Sequence, residues 1–210
     1  MLLVNQLNGF GAGSSGASKR SEYITNVYDT AYQNPQSVSN VPIGTASDDR
    51  LVVIPLTFSL SGDGATVSSA TLGGVSLTKL DTSGSVGWDN AAILYGSIPT
   101  GETATLSMSF NGNCAFVAGI YALYGLDGTS HIGHWRTQGA VGGTYSSEPG
   151  DIFIGSSCNA SGNWTPNTQD YSRQLIYSWA VAQGAMAQAY GSQTTMSSGG
   201  AYESLIAQFR

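Results

Sequence analysis

From Arg50 to Phe110 the chain runs RLVVIPLTFSLSGDGATVSSATLGGVSLTKL and then, after a polar stretch, NAAILYGSIPTGETATLSMSF. Short apolar-alternating segments are broken by Gly, Asp and Pro, with almost no charge between them. Alternation with period two, in runs of four to eight residues, builds half-buried strands and not amphipathic helices. Two segments flank Gly73-Gly74, a two-residue loop of the kind that closes a tight hairpin. A chain carrying this stretch is constrained to an antiparallel β fold.

The pattern predicts individual strands. Leu51–Phe58 sets Val52, Ile54, Leu56 and Phe58 on one face. Pro55, on the other parity, points to an edge strand or a bulge, because it has no N–H to donate. Thr66–Leu72 and Val75–Leu80 form the Gly-Gly hairpin, and Asn90–Ile98 follows. In Glu102–Phe110, Ala104, Leu106, Met108 and Phe110 alternate inward against outward Thr103, Thr105, Ser107 and Ser109. Cys114–Tyr124 is apolar on both parities, which fits the middle of a covered sheet. Asp151–Cys158, Tyr171–Trp179, Val181–Tyr190 and Tyr202–Phe209 supply later strands. A weak strand is read near 22–28, with loop up to residue 50. Residues 135–150 and 159–169 read as surface loops. The expected fold is all-β: an antiparallel, jelly-roll-like β-sandwich over residues 21–210, preceded by an extended N-terminal arm, residues 1–20.

The arm has an apolar head, Leu2, Leu3, Val4, Leu7 and Phe10, followed by the linker-like GAGSSGAS. A terminus of this composition is ordered only when something ties it down. The apolar residues are therefore the expected anchor. Charged residues are 10% of the chain, against about 25% in soluble domains. So little charge suits a chain packed among protein neighbours, including copies of itself, or one outside cells. The net charge of −6, with only seven basic residues, argues against a phosphate-tracking surface and hence against nucleic acid. No run reaches 18 apolar residues, so no membrane insertion is expected. The N-terminus lacks the basic and long apolar regions of a signal peptide.

Chemistry is sparse. His131 and His134 form H-x-x-H in TSHIGHWR, but a metal site needs at least one more ligand and no third His exists. They are read as polar residues on a strand or loop, and no metal or cofactor is expected. Paired carboxylates for glycoside hydrolysis could come from Asp81, Asp89, Asp127, Glu148, Asp151 and Asp170, all at strand ends or loops. Asp48-Asp49, Asp63 and Asp81 could hold Ca²⁺ on turns, or simply shape those turns. No catalytic motif is found, and no catalytic residue is assigned. Cys114 and Cys158 lie at strand ends that antiparallel pairing could bring together as a disulfide, or else are two buried thiols. Trp88, Trp135 and Trp164, with Tyr145, fall in expected loops. Loop aromatics serve either subunit contacts or sugar binding.

The order of the segments resembles a β-sandwich module of phage and bacterial surface proteins. The resemblance rests on a strand after Asp49-Arg50 and on the hairpin Ala70-Thr71-Leu72-Gly73-Gly74-Val75-Ser76-Leu77. It continues through Ile93-Leu94-Tyr95 with Pro99-Thr100-Gly101, and through Tyr124-Gly125-Leu126-Asp127. It spans residues 48–128, then runs loosely through Gly150-Asp151-Ile152. Separately, Val4-Asn5-Gln6-Leu7-Asn8-Gly9-Phe10-Gly11-Ala12 is similar to the start of virion proteins of tailed phages. The resemblance implies a non-enzymatic virion structural protein, as a head decoration, head spike or tail-fibre component, assembled in the host cytoplasm and later extracellular. Its partners would be capsid or tail subunits and further copies of itself. The alternative is a carbohydrate-binding module that recognises a host surface glycan, and the third reading is a glycan hydrolase.

Overall fold

The computed structural model describes residues 19–60, 66–81, 89–159, 164, 169–174, 181–199 and 201–210. Every regular element among them is a strand. In chain order these are β1 (Arg20–Gln33), β2 (Gln36–Pro42), β3 (Leu51–Leu60), β4 (Val67–Leu72), β5 (Val75–Ser76), β6 (Thr78–Asp81), β7 (Asp89–Ser97) and β8 (Thr103–Phe110). They continue with β9 (Cys114–Tyr124), β10 (His131–Gln138), β11 (Gly142–Ser146), β12 (Ile152–Asn159), β13 (Gln169–Gln174), β14 (Val181–Gln188), β15 (Gln193–Ser197) and β16 (Ala201–Phe209). All pairings are antiparallel.

The strands form a central sheet, β1-β9-β3-β7-β6, and an outer sheet, β2-β8-β4-β5. A second large sheet has the order β10-β16-β12-β14-β13, and β11 pairs with β15 as a ribbon. Side-chain parity stacks them in four layers. On β3, Val52, Ile54, Leu56 and Phe58 face the outer sheet, where Val67, Leu72, Leu106, Met108 and Phe110 complete a first core. Leu51 and Val53 face the opposite way. With Ile93, Val117, Tyr121 and Leu123 they meet Ile152, Ile154, Leu205, Ala207 and Phe209 of the second large sheet in a second core. The far side of that sheet packs Phe153, Ala185 and Ile206 against Tyr145 and Met196 of the ribbon. The sandwich is therefore the first half of a deeper stack. β9 is buried along its whole length, as its apolar residues on both parities require. Each fully buried Val, Leu, Ile or Phe contributes about 1.5–3 kcal/mol.

Two buried hydroxyls cross the second core. Thr57 Oγ1 donates to the Ser157 carbonyl at 3.2 Å and Ser156 Oγ to the Leu56 carbonyl at 3.0 Å. A hydroxyl in an apolar seam needs such a partner, and here it also ties the layers together. Arg50, fully buried, does the same for loops. Its Nε donates to Ile98 O, Nη1 to Gly44 O, and Nη2 to both Thr100 O and Gly101 O, at 2.6–2.9 Å.

The structure departs from expectation at several points. Pro55 lies in the middle of the central sheet, between β9 and β7. Its pairing to β7 is continuous. Toward β9 the rungs at Ile54 and Pro55 are missing while the register holds on either side, so the ladder opens locally around the proline without a slip. The expected Val75–Leu80 strand divides at Leu77: β5 stays in the outer sheet and β6 joins the central one. β1 is 14 residues long where only a weak strand was read, β2, β10 and β11 lie in stretches read partly or wholly as loop, and β15 lies where no strand was read. Cys114 and Cys158 are free thiols. They fall in different cores, one on each side of the central sheet, so no disulfide joins them. Burial pushes the Cys114 thiol up to about 12, with the Asp29 charge adding to it, and also raises Cys158.

Candidate functional site

β10 carries the most chemistry in the smallest space. On a regular strand, residues three apart face opposite sides, because the side-chain period is two. The β10–β16 ladder breaks this rule. His131 pairs with Phe209, but Gly133 pairs with Gln208 and His134 with Ala207. Ile132 is thus the extra residue of a β-bulge, and a bulge shifts parity by one. His131 and His134 consequently share the face that looks toward the second core.

There they form a chain with a third residue. Tyr95 Oη, from β7, lies 2.9 Å from His131 Nδ1, and His131 Nε2 lies 3.2 Å from His134 Nδ1. The Tyr95 ring meets the His131 ring edge-on at 5.7 Å and the Phe209 ring at 5.5 Å. Tyr95 is buried, His131 half-buried and His134 exposed. The site therefore runs from the seam between the central and second large sheets out to water. Burial lowers the His131 pKa, and the neighbouring His134 lowers it further, which favours the neutral imidazole. Two proton arrangements satisfy the chain. Either Nδ1–H donates to Tyr95 and Nε2 accepts from His134, or Tyr95 donates to Nδ1 and Nε2–H donates to His134.

Other expected site residues sit elsewhere. Trp135 is on β10 and not in a loop, and it points to the opposite side from the histidines. Its ring lies 4.3 Å from Tyr145 and 6.3 Å from Phe153. Tyr145 and Trp164 are buried in the same third core. Trp164, 1% exposed, lies flat over Gly155, where any Cβ would come within 2.5 Å of its ring. Tyr145 and Trp164 are thus packing residues, and Trp135 alone of these three keeps a half-exposed surface. Trp88 and the arm residues Leu2, Leu3, Val4, Leu7 and Phe10 lie outside the described residues, as does Asp63.

Asp49, Asp127, Glu148 and Asp151 are taken up by ion pairs and turns. Asp127 pairs with Lys19 at 2.8 Å, Glu148 with Arg210 at 2.8 Å, and Asp151 is buried against Arg210 and Gln208. Asp49 caps a turn, bonded by Ser47 and by the Gly125 amide. Among the described residues, no three His, Cys, Asp or Glu side chains converge. Sequence reading missed Tyr95 as a partner of His131, which only the layer stacking supplies. It also missed the buried Glu203. That residue was legible, since it shares the inward parity of Leu205, Ala207 and Phe209.

Compared with protein-family models, with curated proteins and with solved structures, the chain matches none.

Proposed function

We propose that this chain is a non-enzymatic structural subunit on the surface of a tailed-phage or phage-like particle, anchored through its N-terminal arm. The observation that carries the reading is strand order. β1-β9-β3-β7 faces β2-β8-β4-β5, and we infer from it the two interlocked Greek keys of a jelly roll, with β6 as an added edge strand. That arrangement agrees with the sequence resemblance to virion sandwich modules. The fold alone does not dictate a role, but the use of polar groups supports this one. Arg50 and Asp151, both buried, bind loops and strands of their own chain. The outward face of the outer sheet offers uncharged Ser37, Thr105, Ser107 and Ser109, a surface suited to close packing among neutral neighbours.

The arm leads directly into β1, an edge strand of the central sheet. Deleting residues 1–18 is expected to leave the stack folded, by circular dichroism and melting temperature, and to abolish incorporation into particles. Normal incorporation of the truncated chain would overturn the anchoring role. A cryo-electron-microscopy map of the particle would then place the chain on head or tail.

A host-glycan reading keeps one observation in its favour, the half-exposed Trp135 ring braced by Tyr145. Trp135→Ala separates the two. Under the structural reading it lowers oligomer or particle stability and leaves no glycan-array signal to lose. Saturable glycan binding by the unaltered chain, lost in the variant with the oligomer intact, would favour recognition instead.

A further inference from the structure

We infer that the Tyr95–His131–His134 chain is an acid-released latch on β10. While the two rings share one proton, the latch holds the start of β10 on the seam between the central and second large sheets. A second proton opens it. The first ground is the bulge at Ile132. Without it the two imidazoles would project from opposite faces of β10, and with it they meet. The second is their contact. His131 Nε2 and His134 Nδ1 are 3.2 Å apart, so one nitrogen carries the hydrogen and the other the lone pair. When both rings are imidazolium every ring nitrogen is a donor. That bond then cannot form, and two like charges face each other. The third is anchorage. β10 is an edge strand of its sheet, and Tyr95 belongs to β7 of the central one. Tyr95 Oη lies 2.9 Å from His131 Nδ1, and its ring is held against Phe209. The chain therefore ties the edge of one sheet to the inside of another.

The surroundings do not absorb a second charge. Across the ladder from the two histidines, β16 presents Phe209 and Ala207, and β7 presents Tyr95. Arg136, on the same face of β10, is one more cation. Glu203 lies farther along the ladder, opposite Gln138, and Asp127 is held by Lys19. Among the described residues, no carboxylate is ion-paired with either ring. Burial and the His134 ring both oppose charge on His131. The closed latch thus takes the second proton less readily than the open strand does. Opening takes up protons, so the closed form loses ground as pH falls from the ordinary histidine value of about 6.5. The inference does not depend on the proposed role in a particle.

The test is amide hydrogen exchange of the full chain at pH 7.5 and pH 5.0, corrected for the intrinsic pH dependence of exchange, with β3 and β9 as reference strands. Opening at the start of β10 should be about 10-fold more frequent at pH 5.0, a factor that repulsion across a partly wetted charge pair supplies, with no matching change in β3 or β9. His134→Gln replaces an exposed ring, keeps a hydrogen-bonding side chain and cannot take a proton. It should fold normally and lose the pH step. Tyr95→Phe keeps the packing on Phe209 and removes only the oxygen, so β10 should exchange faster at both pH values. Imidazole NMR gives a second readout: two coupled titration steps in the unaltered chain and one in His134→Gln. Equal β10 exchange at the two pH values, a step that persists in His134→Gln, or an acceleration shared by β3 and β9 would overturn the inference.

Discussion

Asp151 has no exposed surface, and the Arg210 guanidinium grips both of its oxygens, Nε to Oδ1 at 2.9 Å and Nη2 to Oδ2 at 3.0 Å. Gln208 Nε2 and the Glu148 amide donate to Oδ2 as well, at 2.8 and 2.9 Å. Burial alone would raise this carboxyl. The bonds from Arg210, Glu148 and Gln208 outweigh burial and hold it below the ordinary carboxylate value. A depressed folded value stabilises at neutral pH, and that stabilisation is lost as pH falls through the folded value. Asp151→Asn should cost about 1–3 kcal/mol at pH 7, from donors left with a poorer partner. Denaturant melts from pH 3 to pH 8 check this: the two stability curves should converge toward acid, and parallel curves would count against it.

Glu203 carries the opposite sign. It is 4% exposed, and burial lifts its carboxyl to about 7, partly offset by Arg136. The folded protein then holds this proton more tightly than the unfolded chain does, so stability falls as pH rises from the ordinary glutamate value toward 7. Glu203→Gln removes that loss. It should match the unaltered protein near pH 4 and exceed it at pH 8 by on the order of 3 kcal/mol. Equal melting behaviour at both pH values would refute the assignment.

Arg50 offers a fold test far from β10. Arg50→Met keeps the bulk and removes the donors to Gly44, Ile98, Thr100 and Gly101. A loss of about 3 kcal/mol is expected from buried carbonyls left without donors. Arg50→Lys should recover only part of it, since one ammonium cannot reproduce the planar fork. Full recovery by Lys would show that charge, and not geometry, holds these loops.

Gly155 tests the seat of Trp164. A methyl there would meet the indole ring at 2.5–2.8 Å from three of its carbons. Gly155→Ala should destabilise by about 1–3 kcal/mol through overpacking and shift tryptophan emission toward the red. An unshifted spectrum with an unchanged melting temperature would mean that the ring is not seated on this residue.

Much of the first sandwich was legible because its strands carry their own pattern. β3, β7, β8 and β9 each alternate cleanly or are apolar throughout, and the turn before β5 is announced by Gly73 and Gly74, which have positive φ of 59° and 84°. The strands that escaped reading are held by neighbours and not by their own hydrophobicity. β1 is polar along much of its length and owes its extension to pairing with β9. β11 and β15 are Gly-, Thr- and Ser-rich and exist as a pair over the second large sheet. Four-layer stacking was not legible, because period-two alternation says which face is buried but not by what. The same limit hid the site. H-x-x-H reads as two polar residues on a strand or loop, and no local pattern announced the bulge at Ile132 or the arrival of Tyr95 from β7.

The central sheet, covered on both faces, makes the two halves of the chain co-dependent. The connection from Gly125 to Ser130 joins parts that already share a wall. A protease nick there would cut the backbone and leave both pieces clasped together. The first piece by itself would bare Leu51, Val53, Ile93, Val117, Tyr121 and Leu123 to water, an apolar area that would drive it to aggregate. The front sandwich is thus not a portable unit: wherever it is grafted, its second sheet has to travel with it.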